Sequence, residues 1–133
     1  MGTMFSAGIR VVSFFFCLIF IGCASDIYRV PVEFASAAEE AGRNIILATD
    51  TAVAPSNSYS RTLKADSKWK FVGRIPQGSV LEIQDDVFML EAKNMHQAHL
   101  VLSSGDRLVG FFLPVEQAFV PITPSIQLSV KGK

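Results

Sequence analysis

The two histidines of the chain lie three positions apart, at His96 and His99, and imidazole is the commonest metal ligand among side chains. On a helix this spacing would place both rings on one side, where they could share a metal ion. The residues that follow alternate as in a strand, because Leu100 and Leu102 flank Val101. On a strand, side chains three positions apart point to opposite faces. The sequence therefore predicts no metal site at this pair.

Acidic residues near the centre of the chain could form acid pairs for glycoside hydrolysis: Asp85 with Asp86, and Glu82 with Glu91 across a hairpin. That reaction needs two carboxylates about 5 to 9 Å apart in a cleft, in different environments. Adjacent aspartates in a tight turn are usually solvated turn formers. The sequence also has no nucleophile elbow and no glycine-rich phosphate loop. We therefore expect a chain that is not an enzyme and needs no cofactor.

The candidate residues lie in or between segments in which apolar and polar residues alternate, as they do in β-strands. The clearest is KWKFVGRI, residues 68–75, in which apolar and basic residues take turns. Its apolar residues are Trp69, Phe71 and Ile75, and its cations are Lys68, Lys70 and Arg74. The alternation predicts one buried face and one face that projects three cations.

Turn residues divide the rest of the chain into short strands. PQG at 76–78 predicts a turn, QDD at 84–86 predicts one hairpin, and SSGD at 103–106 predicts a second. Further strands are expected in NIILATDTAV, residues 44–53, and in the tail PITPSIQLSV, residues 121–130, as an edge or closing strand.

RLVGFFL, residues 107–113, is apolar on both faces and should be a central strand or one covered by a helix. Ala and Glu in EFASAAEEAGRN, ended by Gly42, predict one short helix over about 33–41. The expected fold is mainly β, a small antiparallel barrel or sandwich of six to seven strands with one short N-terminal helix.

An apolar segment, VVSFFFCLIFI at residues 11–21, follows Arg10 near the N-terminus. A spanning helix needs roughly 20 apolar residues, so this segment is too short to cross a bilayer. A basic start, a short apolar stretch and a boundary of small residues are the layout of a secretory signal. The alternative is a buried helix or strand of the core.

FIGCAS, residues 20–25, resembles the lipobox of bacterial lipoprotein precursors. Ile21 and Gly22 match the two positions before the obligatory cysteine, and Cys23 matches the modified residue, whereas Phe20 stands where leucine is commonest. The resemblance implies cleavage between Gly22 and Cys23 and a diacylglyceryl thioether on Cys23. It also implies that the new amino terminus often carries a fatty acid such as palmitate.

The resemblance divides the chain into a signal peptide at 1–22, a lipidated tether at 23–32 and one small β-rich domain at 33–133. Two or more acyl chains anchor a protein to a membrane stably. The only other cysteine, Cys17, lies in the removed segment, so the mature chain would have no thiol and no disulfide. By the sorting rule of Gram-negative lipoproteins, Ala24 in place of aspartate implies the outer membrane, with the domain facing the periplasm.

Two segments of the mature chain could form an interaction surface. The cations Lys68, Lys70 and Arg74 could meet anionic headgroups or an acidic partner, and the alternative is a solvated strand face. The segment GFFLPVEQAFVP, residues 110–121, either is core on both faces or exposes a patch around Phe111 and Phe119 to a partner. Nucleic acid is not expected, because 12 Lys and Arg balance 12 Asp and Glu.

The sequence thus predicts a membrane-anchored lipoprotein of the cell envelope, a non-catalytic structural or protein-interaction module whose partners are the membrane and an envelope protein. One alternative is a ligand-binding lipoprotein or hydrolase with acidic residues at a barrel mouth. A pocket uniting Glu82, Glu91 or His96 would favour it. Another alternative is a lipoprotein subunit of a secretion or conjugation assembly.

Overall fold

The structure, a computed structural model, describes residues 26–37 and 44–132. The proposed signal peptide and the lipobox, including Phe20, Gly22 and Cys23, lie outside the described residues. The described part holds twelve β-strands and no helix. The strands are β1 Val30–Pro31, β2 Ala35–Ser36, β3 Asn44–Ile46, β4 Thr51–Val53, β5 Arg61–Leu63, β6 Lys68–Ile75, β7 Gly78–Ile83, β8 Met89–Glu91, β9 Met95–Gln97, β10 His99–Ser103, β11 Arg107–Leu113 and β12 Ala118–Gln127.

The main sheet is antiparallel and follows the order β1-β12-β11-β10-β7-β6-β2, with β3 also paired to β6. It curls into a half-barrel. The segments that follow β3 and β12 meet where Leu47 forms a bridge with Val130, and where the Lys131 N–H donates to the Ile46 carbonyl at 2.8 Å. Two small hairpins, β4–β5 and β8–β9, stand apart from this sheet. The expectation of a mainly β, antiparallel fold is therefore confirmed.

The predicted helix at 33–41 is not found in the described residues. Ala35 and Ser36 instead form β2, paired with Arg74 and Gly73 of β6. Residues 38–41 lie outside the described residues. The helix preference of alanine and glutamate is worth only tenths of a kcal/mol per residue, and pairing with an open strand edge outweighs it.

The hairpin predicted at QDD is wrong. Both edges of β7 are occupied, by β6 on one side and β10 on the other, so β8 cannot pair with it. After residues 84–86 the chain leaves the main sheet, and β8 pairs with β9. The turn predicted at PQG joins β6 to β7, and the hairpin predicted at SSGD is present as β10–β11.

The main sheet is covered on both faces. Phe111 belongs to a large core that also contains the hairpins, and Phe112 belongs to a small core on the opposite face. β11 therefore is the central, doubly covered strand that its sequence predicts. The cover of the small core is the extended N-terminal segment rather than a helix, because the Phe34 ring stacks on Phe112 with centroids 5.1 Å apart.

A β-bulge in β6 changes which side chains share a face. Phe71 pairs with Leu81, but the next paired residue is Gly73. Trp69 and Phe71 therefore pack in the large core, whereas Ile75 packs in the small one. The same shift turns Arg74 toward the large-core face, where its guanidinium lies 5.3 Å from the centroid of the Phe71 ring. The three cations of this strand do not share one face, because a bulge inserts one residue into the alternation.

Candidate functional site

His96 lies on β9, opposite Leu90 of β8, and only 4% of its surface is exposed. The hairpin that carries it is closed by a short turn, in which the Ala92 N–H donates to the Asn94 carbonyl at 3.0 Å. A buried histidine needs hydrogen-bond partners for both ring nitrogens, since an unpaired buried polar group is costly.

Both nitrogens of the His96 ring meet carboxylates. Nε2 lies 3.1 Å and 3.2 Å from the two carboxylate oxygens of Asp26, and Nδ1 is hydrogen-bonded to Oε2 of Glu116. Asp26 stands where the described chain starts, and Glu116 stands in the turn between β11 and β12. We call Asp26, His96 and Glu116 the clasp, because they join three segments that are distant in sequence.

Asp26 is held by further donors. The Asn94 side-chain amide donates to Oδ2 at 3.0 Å, and the Asn94 backbone N–H donates to Oδ1 at 3.4 Å. Arg29 Nη1 donates to Oδ2 at 3.2 Å. The next residue, Ile27, is 3% exposed and packs in the large core. Residues 26–32, expected as part of a tether, are therefore held against the folded body.

The contacts within the clasp favour the ionised forms of both Asp26 and His96. Burial alone would raise the pKa of Asp26, but hydrogen bonds from the Asn94 side chain, the Ile27 backbone and His96 outweigh it and hold this pKa far below its usual range. Burial alone would lower the pKa of His96, but hydrogen bonds to Glu116 and Asp26 and their negative charges raise it above 6.5. The two carboxylates therefore stabilise the imidazolium form of His96 relative to that of a histidine in water.

The geometry suits a structural link better than proton transfer. A general base needs a free nitrogen within reach of a substrate, and both nitrogens of His96 are engaged with Asp26 and Glu116. Oε1 of Glu116 is buried and has no hydrogen-bond partner among the described residues. The engaged oxygen of the same carboxylate faces the imidazolium and balances its charge.

His99 lies in a different environment from His96. Its Nε2 is 4.0 Å from Glu82 Oε2, and its ring centroid is 6.3 Å from that of Phe112. Burial lowers the pKa of His99, and the Glu82 charge offsets this only in part. The two rings do not share a ligand position. Within the described residues, no group of three or more His, Cys, Asp or Glu side chains is arranged to hold a metal ion.

The four acidic residues considered for catalysis are dispersed. Asp85 has a left-handed backbone with φ 59°, and Asp86 accepts a hydrogen bond from the Val87 N–H at 2.7 Å, as turn formers do. Glu82 is on β7 and Glu91 is on β8, two strands that do not pair. The structure therefore does not form the hairpin that would have set these two glutamates opposite each other.

The residues expected at an interaction surface divide into two groups. Lys68 and Lys70 are exposed on β6, and Arg74 is exposed while its Nη1 donates to Ser79 Oγ at 3.2 Å. Phe111 is fully buried and Phe119 is 7% exposed, so neither forms a surface patch. Phe111 and Phe119 of segment 110–121 therefore belong to the core.

Exposed apolar side chains collect around the clasp. Tyr28, Met95 and Val115 are 53%, 52% and 78% exposed, and each lies within two residues of a clasp member. Tyr59 is 66% exposed, and its N–H donates at 2.8 Å to the carbonyl of Glu91, the residue paired with Met95. We call Tyr28, Tyr59, Met95 and Val115 the collar.

Sequence reasoning did not find the clasp. As a possible metal ligand His96 is considered with His99, and as a possible pocket residue with Glu82 or Glu91. Its partners in the structure, Asp26 and Glu116, are 70 and 20 residues away from it. The available signal is Glu116, the one charged residue in a mostly apolar stretch between Pro114 and Pro121. A charge in such a context indicates a buried partner.

Comparison of the chain with protein-family models, with curated proteins and with solved structures found no match. Within the described residues, no helix has the length and apolar character that crossing a bilayer requires.

Proposed function

We propose that this chain is a membrane-anchored lipoprotein of a cell envelope, a non-catalytic module that keeps its β domain at the membrane and offers it to an envelope protein. Lipid on Cys23 would be its attachment, with cleavage after Gly22. Ala24 after the cysteine would direct it to the outer membrane, facing the periplasm. Nothing in this role requires a cofactor.

The observation that carries the proposal is the position of the clasp relative to the lipobox. Only Ala24 and Ser25 separate Cys23 from Asp26, which is bound to His96, Asn94 and Arg29. Three residues of extended chain span roughly 10 Å at most. A lipid on Cys23 would therefore hold the folded body against the membrane surface.

The packing of the N-terminal segment supports the same role. A force that the membrane exerts on Cys23 would be transmitted to Asp26. From Asp26 it would pass to His96 on β9 and to Glu116 in the turn after β11. Val30–Pro31 add a second attachment by pairing with β12. An anchored domain needs such a connection, because otherwise the first strand would be free to detach from the edge of the sheet.

A substitution of Cys23 tests the proposal. We expect Cys23→Ser, made in the full chain and expressed in a bacterium, to abolish lipid labelling and partitioning into the detergent phase. Cys17→Ser is the matched control, because it removes the other cysteine of the chain and should leave lipidation intact. Equal partitioning of wild type and Cys23→Ser would refute the anchor.

A further inference from the structure

We propose that the collar lies in the headgroup layer of the membrane, so that the domain stands on the bilayer with its clasp end down. This inference rests on the proposed function, because the lipid on Cys23 supplies the attachment. It goes further in naming the surface that meets lipid and the orientation that results.

The first step is the clustering of exposed apolar groups. Five large hydrophobic side chains of the described residues are exposed, and four of them form the collar. Val87 is the fifth, and it lies in the segment between β7 and β8, more than two residues in sequence from every clasp member. Single exposed apolar residues are ordinary on a protein surface, but a group at one place indicates a contact with an apolar phase or a partner.

The second step is the reach of the tether. Asp26 is the clasp member nearest to Cys23, and the chain between them spans roughly 10 Å at most. The headgroup layer on each side of the hydrocarbon core is about 5 to 8 Å thick. A lipidated Cys23 therefore leaves Asp26 at the bilayer surface. Tyr28 lies two residues after Asp26, and Met95 and Val115 are each next in sequence to another clasp member.

The third step is the chemistry of the collar. Tyrosine has an apolar ring and a polar hydroxyl, and it is enriched where membrane and water meet. Met95 and Val115 add apolar surface, and Lys93 is exposed beside Tyr59 along a cleft of about 400 Å³. A lysine at this place is suited to anionic headgroups. A lipid surface accepts such a mixed and uneven set, because it has no fixed shape of its own.

The opposite end of the sheet has a different character. β11 runs from the turn at 104–106 to the turn that carries Val115 and Glu116, so these turns lie at its two ends. The far end has a cleft lined by polar side chains, those of Arg74, Gln77, Ser79, Ser103 and Ser104. The difference between the two ends gives the domain one surface for lipid and one for water or an envelope protein.

The test uses the lipidated full-length product with one introduced thiol. Val115→Cys and Val87→Cys form a matched pair, since both valines are exposed, at 78% and 59%, and only Val115 belongs to the collar. Cys23 is blocked by its thioether, so a fluorescent maleimide labels only the new residue. The proteins are reconstituted in phosphatidylethanolamine–phosphatidylglycerol vesicles with a minor fraction of headgroup-proximal nitroxide lipid.

We expect several-fold stronger quenching by nitroxide lipid at position 115 than at position 87, and the reverse order for a water-borne quencher. Met95→Cys should behave like Val115→Cys, and Ser104→Cys at the far turn should behave like Val87→Cys. Emission from Trp69, which is 1% exposed, reports whether each variant is folded.

Equal quenching at positions 115 and 87 on vesicles that carry the protein would overturn the orientation and leave the anchor standing. A collar reserved for a protein partner would give that result, since the vesicles contain only lipid. Failure of the wild-type protein to float with the vesicles would instead refute the anchor. The two failures are therefore distinguished in one experiment.

Discussion

Two carboxylates from distant parts of the chain contact His96 and raise its pKa. Its ring nitrogens contact Asp26 and Glu116, and the exposed fraction of its side chain is only 4%. Removing one member of such a group leaves a buried or half-buried charge without its partner, which costs more than the intact contact contributes. The clasp is therefore the place where single substitutions should have the largest effect on the N-terminal segment.

The two histidines should titrate on opposite sides of their ordinary pKa of 6.5. Neighbouring carboxylates raise the pKa of His96, and burial lowers that of His99. Because the chain has only these two histidines, their ring proton resonances can be followed separately by NMR and assigned with His99→Gln. Coincident midpoints would contradict the clasp geometry.

Replacing His96 should destabilise the fold in a pH-dependent manner. We expect His96→Gln to lower the free energy of unfolding by about 2 kcal/mol at mildly acidic pH, the usual contribution of hydrogen bonds to charged groups. The folded-state pKa of His96 is raised, so its contribution is complete below pH 6.5 and is lost as the pH rises through the raised value. The difference between wild type and His96→Gln should therefore shrink at alkaline pH, as measured by urea unfolding.

His99→Gln is the matched control. In the wild type the pKa of His99 is lowered, so protonation of His99 opposes folding. The contribution of neutral His99 to the free energy of unfolding is therefore lost as the pH falls below 6.5. Asp26 has a lowered pKa as well, so its contribution is lost as the pH falls from 3.8 through the lowered value. An effect of His96→Gln that grows with pH would contradict the assignment of charge to His96.

The N-terminal strand segment owes its place to the contact between Phe34 and the main sheet. A Cβ added to Gly73 would lie 2.4 Å from the Phe34 ring and 2.5 Å from the Ala35 carbonyl oxygen. Glycine at this position of β6 therefore permits both the stacking of Phe34 on Phe112 and the pairing of β2. β2 is short, so few other contacts hold it to the edge of the sheet.

Gly73→Ala should displace the N-terminal segment from β6. We expect a loss of about 1 to 3 kcal/mol in the free energy of unfolding, as for other cases of overpacking. Ser36→Ala is the control, because it changes the exposed residue paired with Gly73 without adding bulk and should stay within about 0.5 kcal/mol of wild type. Equal stability of Gly73→Ala and wild type in urea unfolding would show that Phe34 does not lie over this glycine.

Local turn chemistry was enough to predict the turn at PQG and the hairpin at SSGD, but not which strands lie side by side. PQG joins β6 to β7 and SSGD joins β10 to β11, and in each case the two strands that the turn connects also pair with each other. At QDD the turn is real, but both edges of β7 are occupied by strands that come earlier and later in the chain. Pairing over long distances depends on the whole sheet, and no short stretch of residues encodes it.

The alternation of apolar and basic residues in β6 predicted which side chains are buried, but not which face of the sheet each one occupies. Trp69, Phe71 and Ile75 are all buried, as expected, but the bulge at Gly73 sends Ile75 to the other core. A glycine inside an alternating strand was the signal for that bulge. The pairing of Asp26 with His96 could not be predicted from a local pattern, because the two residues are 70 positions apart and meet only in the folded chain.

The molecule as a whole has two unlike ends, and the proposed anchor explains the difference. The clasp end carries the exposed collar and Asp26, the first described residue, and the far end carries polar turns. A domain attached three residues before Asp26 would meet lipid with the first end and envelope proteins with the second. Lys68 and Lys70 are exposed on β6.

The destination of the anchored protein should depend on Ala24. By the sorting rule that the lipobox resemblance implies, Ala24→Asp should retain the lipoprotein in the inner membrane of a Gram-negative host. Ala24→Ser should leave the distribution unchanged, since serine lacks the carboxylate. Separation of the two membranes by density and detection of the protein in each fraction measures the result. An unchanged distribution for Ala24→Asp would contradict sorting by this residue.

The central claim, that Cys23 is the lipidated first residue of the mature chain, is tested most directly by mass spectrometry of the N-terminal tryptic peptide. We predict that protein from membranes yields the peptide of residues 23–29, which ends at Arg29, with the added mass of a diacylglyceryl group and, where the amine is acylated, of a fatty acid. A chain that still contains Gly22 joined to Cys23, or a Cys23 without lipid, would contradict it.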